Sequence, residues 1–123
     1  MRIVVTAQTD QGLDAPVAQH FGHAPFFAIV DADAAEVSSV QTVANPFLEG
    51  HQPGQIPGYV HELGAEVMLS GGMGGRAIAF FNQFGIAAAT GASGTVAESI
   101  AAFLDGRLGG ASACADSEAH GHA

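Results

Sequence analysis

The glycine-rich segment 70–77, SGGMGGRA, carries the clearest chemical signal in the chain. Glycines before a helix let backbone N–H groups approach an anion, and the helix dipole adds a fractional positive charge there. Arg76 would add a full positive charge in the first helical turn. Glycines that only permit tight turns and close packing are an equally weighted alternative. The segment predicts an anion-binding loop formed by Gly71, Gly72, Met73, Gly74, Gly75 and Arg76.

A second glycine turn, GASGT at residues 91–95, precedes the last predicted helix in the same way. Two helix N-termini facing one crevice would suit a single sizeable anion. Plain capping of the helix by Thr95 is the alternative, and it does not exclude the first interpretation.

Three histidines lie on loops that we expect to converge near these glycines. His20 and His23 frame Phe21 and Gly22 in the segment HFGH, and His51 ends the segment NPFLEGH. Imidazoles bind copper, iron and zinc, and they also donate hydrogen bonds to anions. A lone histidine is more often a solvent or packing residue, and three on converging loops bring the two interpretations to even weight. Met73 offers copper a soft thioether, although gap filling is the favoured interpretation for it.

Other chemistries fit the sequence less well. A P-loop ends in Gly-Lys-Ser/Thr, and no lysine lies in or near the glycine segment. GMGGRA at 72–77 matches the dinucleotide pattern G-x-G-x-x-A, but the predicted strand 86–89 ends without the acidic residue that this pattern requires. An enzyme that uses a nucleotide is therefore a minor alternative. The central strands carry no carboxylates, so no magnesium site for hydrolysis is predicted.

The charge balance argues against several classes of partner. Twelve acidic residues oppose three arginines, and the formal net charge of −9 repels nucleic acids and anionic membranes. The apolar run at the N-terminus is too short for a signal peptide, and no apolar stretch has membrane-spanning length. The single cysteine, Cys114, agrees with a reducing compartment. The sequence predicts a cytoplasmic protein that binds neither nucleic acid nor membrane.

The apolar patterns predict one three-layer α/β domain over residues 1–108. Strands are predicted at 2–6, 26–30, 37–43, 67–70 and 86–89, and helices at 56–63, 76–84 and 95–105. The second and third strands form a predicted antiparallel hairpin joined by residues 31–36, and the βαβα pattern from residue 66 predicts parallel strands. Ligands bind beyond the carboxyl ends of such strands. We therefore expect loop 71–75 to contact loop 90–95 and segment 20–23, with loop 44–56 as a further candidate.

Residues 109–123 are small or polar and predict a disordered tail. Its Cys114, His120 and His122 form C-x5-H-x-H, which can chelate a soft metal but has no scaffold to fix a geometry. An unstructured tail with incidental histidines is the alternative.

Four stretches together resemble the dinitrogenase iron-molybdenum cofactor biosynthesis family: GLDAPVAQHFGHAPFFAIVD, ANPFLEGH, SGGMGGRAIAFFNQFGI and GASGTVAESIAAFLDG. The family includes small cofactor carriers of nitrogenase assembly and the orange protein, which holds a molybdenum-copper-sulfide cluster. The resemblance covers residues 1–108. It implies a ribonuclease H-like fold with a mixed five-stranded sheet flanked by helices, no nuclease activity, and non-enzymatic binding or carriage of an anionic molybdenum-containing metal-sulfur cluster. A chaperone for an iron-molybdenum cofactor precursor, moving it between assembly proteins, is the implied alternative.

Carried over by position, the site of the family would involve His20, Phe21, Gly22, His23, His51 and residues 71–75. A sulfide cluster is a bulky anion with weak acceptors, and backbone N–H groups can surround it without covalent ligation. Many relatives have Arg-Cys where this chain has His23-Ala24, which excludes a cysteine ligand at that point. The loss of the arginine weakens the anion site unless His23 is protonated or donates as a neutral ring. Ordering the tail would cost about 1 to 2 kcal/mol of backbone entropy per residue, so we expect the cluster in the crevice instead.

Overall fold

The computed structural model describes residues 1–33, 36–50, 52 and 54–108. The strands are β1 (Arg2–Ala7), β2 (Phe26–Asp33), β3 (Glu36–Ala44), β4 (Val67–Leu69) and β5 (Ala87–Ala89). The helices are α1 (Gln55–Glu62), α2 (Gly75–Phe84) and α3 (Val96–Leu104), and short 3-10 turns occur at Gly12–Asp14 and Phe21–His23. The predictions for His51 and for the tail 109–123, with Cys114, His120 and His122, lie outside the described residues.

The five strands form one mixed sheet in the order β3-β2-β1-β4-β5. β1 pairs in parallel with β4, and β4 with β5, whereas β1–β2 and β2–β3 are antiparallel. β1 is the central strand of this order, and its residues 3–7 are therefore buried, as expected for a β-branched apolar run. The predicted mixed five-stranded sheet, its hairpin and its three parallel strands are confirmed, and the arrangement is compatible with a ribonuclease H-like fold.

The predicted connection of the hairpin at 31–36 is wrong, because β2 and β3 continue through most of it. The polar Asp31 belongs to the sheet: its carboxylate accepts hydrogen bonds from Arg2 Nε at 2.9 Å and from Ser39 Oγ at 2.9 Å. The hydrogen bond from Arg2 holds the pKa of the Asp31 carboxyl below its ordinary value. Sequence polarity indicated a turn here, but these acidic and polar side chains pair with neighbouring strands.

The two faces of the sheet build two separate cores. Ile3 and Val5 of β1 point to the face covered by α3, and Val4 between them points to the face covered by α1 and α2. The alternation follows from the two-residue period of a strand. Helices α1 and α2 therefore lie side by side on one face, and α3 lies alone on the other. Among the described residues, no helix is long and apolar enough to cross a membrane.

Candidate functional site

A cavity of about 470 Å³ lies beyond the carboxyl ends of β1 and β4, on the face that carries α1 and α2. Its volume is typical of small-molecule sites, which measure roughly 300 to 1,000 Å³. One of its walls is the loop after β1, which carries His20 and His23, and another is the loop after β4, which carries Gly72 and Gly74. We therefore call it the histidine–glycine cavity. Eight predicted site residues line it: His20, Phe21, Gly22, His23, Gly72, Met73, Gly74 and Arg76.

Backbone hydrogen bonds hold the two walls together. The Phe21 N–H donates to the Gly72 carbonyl at 3.1 Å, and the Gly71 N–H donates to the Ala18 carbonyl at 3.3 Å. On its other side, the Gly71 carbonyl accepts from the Gly91 N–H at 3.0 Å. The predicted contacts of loop 71–75 with segment 20–23 and with loop 90–95 are therefore confirmed.

Glycines of the same segment have different surroundings. A Cβ at Gly71 would lie 2.7 Å from the Gln19 Cα, so this glycine permits close approach of two backbones. A Cβ at Gly74 would meet no atom within 4 Å, and Gly74 lines the cavity. Gly71 and Gly75 were predicted to contact the ligand, but neither is among the residues that line the cavity. The packing interpretation thus describes Gly71, and the open position is Gly74.

The N-terminus of α2 opens into the histidine–glycine cavity without a side-chain cap. Gly74 is the N-cap residue with an extended backbone, and it has no side chain to accept from the first N–H groups of the helix. Arg76 follows in the first turn and is exposed. Among the described residues, Arg2 pairs with Asp31 and Arg107 with Asp105, whereas Arg76 has no carboxylate within 4.0 Å. Backbone donors and an unpaired cation therefore meet at one wall.

The third wall of the cavity is the beginning of α1, which the sequence offered only as a further candidate. Gly54 is the N-cap of α1 at a φ of 89°, again without a side-chain cap, and Gly54, Ile56 and Pro57 line the cavity. Glycine at the N-cap followed by proline in the first turn is a helix-start signal that could have drawn attention to this segment.

The prediction that the turn before α3 shares a crevice with the turn before α2 is wrong. Gly91, Ala92, Ser93 and Gly94 line a separate cavity of about 220 Å³ together with Glu98 and Arg107. The reason is topological, because α3 covers the opposite face of the sheet from α1 and α2. Two helix N-termini do face one cavity, but they belong to α1 and α2.

His20 and His23 are exposed at the mouth of the cavity. Their ring centroids lie 6.5 Å apart with the planes at 80°, on either end of the 3-10 turn that contains Phe21. Phe21 is buried and packs edge-on against Phe81, with the ring centroids 5.3 Å apart. In the part of the chain that the structure describes, no three His, Cys, Asp or Glu side chains are grouped closely enough to hold a metal ion.

Met73 is almost fully buried in the core between the sheet and helices α1 and α2, and it also lines the cavity. The favoured gap-filling interpretation agrees with this burial. The segment 72–77 runs from the loop after β4 into the first turn of α2, as a dinucleotide site requires. However, β5 consists of three alanines and is followed by Thr90, so the acidic residue of that pattern is missing in the structure as well.

Comparison with known families agrees with this geometry. The model of a family described as dinitrogenase iron-molybdenum cofactor matches residues 1–106. The chain belongs to this family. The match includes all the described residues that line the histidine–glycine cavity. No curated protein matches the chain.

Several solved structures are similar to the chain. PH0822 is 35% identical with a TM-score of 0.79, and the match covers 90% of this chain and 96% of PH0822. The apo form of the orange protein from Desulfovibrio gigas is 31% identical with a TM-score of 0.80, over 91% of this chain and 93% of the other. A candidate NifB protein from Thermotoga is 25% identical with a TM-score of 0.73, over 89% and 91% of the two chains.

Proposed function

We propose that this chain is a non-enzymatic binder or carrier of an anionic, molybdenum-containing metal-sulfur cluster, and that the cluster occupies the histidine–glycine cavity. The observation that carries the proposal is the charge of this cavity. The chain has twelve acidic residues and a net charge of −9, yet no carboxylate is found among the described residues that line the cavity. Its one charged lining residue in that set is Arg76.

The donors around the cavity fit a large anion with weakly accepting sulfides. The N-terminus of α2 faces the cavity without a side-chain cap and presents N–H groups and the positive end of a helix dipole. The N-terminus of α1 adds the positive end of its own dipole, but its Gln55 N–H already donates to the Gln52 carbonyl at 3.1 Å and Pro57 has no N–H. His20 and His23 add ring N–H donors. Ile56, Phe80 and Met73 exclude water from one side, which strengthens each weak contact.

Family membership and the likeness to the apo orange protein support the same class of ligand. By the resemblance of its motifs, the finer proposal is a molybdenum-copper-sulfide cluster, with His20 and His23 as the groups nearest to copper. His51 is proposed as a further contact. The metals retained by the protein purified from its own host would separate this cluster from an iron-molybdenum type.

Reconstitution tests the proposal directly. The full chain is incubated anaerobically with tetrathiomolybdate and Cu(I), desalted, and assayed for visible absorbance and for bound molybdenum and copper. We expect the unmodified chain to retain a coloured cluster. Gly74→Val should retain at least about fivefold less, because the added side chain enters the open space that the ligand would fill, and steric overpacking costs about 1 to 3 kcal/mol.

The matched control is Gly58→Val, which adds the same side chain to a glycine of α1 that has no atom within 4 Å of its Cβ position and does not line the cavity.

His20 and His23 changed together to alanine should also lower uptake sharply. Truncation after Gly109 should leave uptake nearly unchanged. Loss of colour on truncation, with the cavity variants still coloured, would assign the ligand to the tail and contradict the proposal.

A further inference from the structure

Four polar side chains are buried in the described part of the chain: Thr6, Asn45, Ser70 and Ser99. Each donates a hydrogen bond to a backbone carbonyl of a loop. Ser99 holds Ser93, in the turn before α3 and away from the histidine–glycine cavity. The other three hold the walls of that cavity, although none of the three lines it.

Thr6, near the end of β1, fastens the start of the histidine segment. Its Oγ1 donates to the Ala18 carbonyl at 2.9 Å, and its own carbonyl accepts from the Ala18 N–H at 3.0 Å. The Ala18 carbonyl also accepts from the Gly71 N–H at 3.3 Å. A carbonyl oxygen has two lone pairs, so both are used here, and Ala18 joins the strand to the glycine loop.

Ser70, directly after β4, repeats this arrangement on the opposite wall. Its Oγ donates to the Gly72 carbonyl at 3.0 Å, and the same carbonyl accepts from the Phe21 N–H at 3.1 Å. The two hydroxyl oxygens, Thr6 Oγ1 and Ser70 Oγ, lie 3.3 Å apart in the interior. Each wall is thus held by one buried hydroxyl and by one backbone bond from the other wall.

Asn45, directly after β3, fastens the far end of the histidine segment. Its Nδ2 donates to the Ala24 carbonyl at 2.9 Å, and its backbone N–H donates to the Pro25 carbonyl at 3.0 Å. Its Oδ1 accepts from the Phe47 N–H at 2.9 Å. The segment 18–24, which contains the exposed His20 and His23, is therefore held at both ends by buried side chains.

We propose that Thr6, Asn45 and Ser70 are positioning residues that hold the histidine segment against the glycine loop at the spacing the bound anion requires. This inference rests on the proposed function of the cavity. A buried hydroxyl or amide costs free energy unless it is hydrogen-bonded, and a β-branched apolar residue suits a buried strand position better than a polar one. All three side chains donate hydrogen bonds to backbone carbonyls in the walls of one cavity. They therefore act through these carbonyls and do not touch the ligand.

The test uses Thr6→Val and Ser70→Ala, with Ser99→Ala as the matched control for loss of a buried hydroxyl elsewhere. Two measurements are made on each folded full chain: amide hydrogen exchange, residue by residue, and affinity for tetrathiomolybdate. We expect Thr6→Val and Ser70→Ala to speed exchange in segment 18–24 and to weaken binding about threefold to tenfold, as expected for loss of one buried hydrogen bond. Ser99→Ala should speed exchange near residue 93 and leave the affinity unchanged. Thr6→Ser keeps the hydroxyl, so its exchange in segment 18–24 and its affinity should match those of the unmodified chain.

The outcomes separate this inference from the proposed function. If Thr6→Val and Ser70→Ala lower thermal stability as Ser99→Ala does, but leave exchange in 18–24 and affinity unchanged, the positioning role is overturned. If the unmodified chain does not bind tetrathiomolybdate, the proposed function fails, and the exchange data alone decide whether the segment is held. Should Thr6→Val not fold, Ser70→Ala tests the same pair of walls from the other hydroxyl.

Discussion

The two glycine turns of the chain lead into helices on opposite faces of the sheet, and they leave the helix N-termini in different states. At α3, Thr95 Oγ1 accepts from the Glu98 N–H at 3.1 Å, and the Glu98 carboxylate accepts from the Thr95 N–H at 2.9 Å. The same carboxylate also occupies the space where a Cβ of Gly94 would lie. The positive end of α3 is therefore already neutralised by the chain itself.

At α2 the corresponding place is open. Its N-cap is Gly74, its first turn contains no acidic residue, and Arg76 contributes a positive charge in place of a carboxylate. The comparison shows that glycine before a helix does not by itself make an anion site. What matters is whether the chain supplies its own capping oxygen.

The largest difference between the turns should come from their arginines. Arg76→Ala removes the cation of the histidine–glycine cavity, which has no carboxylate partner among the described residues, and should weaken tetrathiomolybdate binding about tenfold or more, since hydrogen bonds to charged groups contribute roughly 1.5 to 3 kcal/mol. Arg107→Ala removes an equal charge beside the α3 turn, where Arg107 already pairs with Asp105. Equilibrium dialysis of both variants with molybdenum analysis measures the contrast, and equal losses would show that only net charge matters.

Giving α2 a cap like that of α3 should convert one turn into the other. Gly74→Asp places a carboxylate at an N-cap whose extended backbone accepts it, and it should raise the free energy of unfolding by about 0.3 to 1 kcal/mol. The same carboxylate repels the anion, so affinity should fall several-fold. Gly74→Asn is the uncharged control, measured by thermal melts and dialysis. If Asn and Asp weaken binding equally, steric exclusion and not charge explains the loss.

Removing the cap of α3 should act on stability alone. Thr95→Ala deletes the capping oxygen and should lower the free energy of unfolding by about 1 kcal/mol. Tetrathiomolybdate affinity should stay within experimental error of the unmodified chain, because this turn lines the other cavity. A fall in affinity as large as that of Gly74→Asp would mean that the two turns are coupled, which would break the comparison.

A smaller effect should appear at the opposite end of the sheet from both turns, where Arg2 pairs with Asp31. The pKa of Asp31 in the folded chain lies below its ordinary value of 3.8, chiefly through the hydrogen bond from Arg2. The stabilisation is therefore fully present above the unfolded pKa and is lost as the pH falls through the folded one. Thermal melts from pH 7 to pH 2 should show Asp31→Asn less stable at neutral pH, with the difference vanishing in acid, and no change in anion binding at pH 7.

Sequence patterns alone determined much of this fold. The β-branched run in β1 indicated a central strand, the βαβα pattern indicated the parallel strands, and Thr95 with Glu98 indicated the start of α3. These features depend on residues close to one another in the chain, so their physical causes are visible in a short window. The ends of β2 and β3 were missed because polar residues such as Asp31 pair across strands, with partners far away in sequence.

The residue types of the candidate site were also visible in the sequence, since His20, His23, Gly72 and Arg76 all line one cavity. The sequence did not show which glycine is open and which is packed, because the packing of Gly71 comes from Gln19, a residue of a different loop. The pairing of α2 with α1 instead of α3 was equally hidden. It depends on which face of the sheet each crossover helix covers, and long-range packing of the two cores decides that.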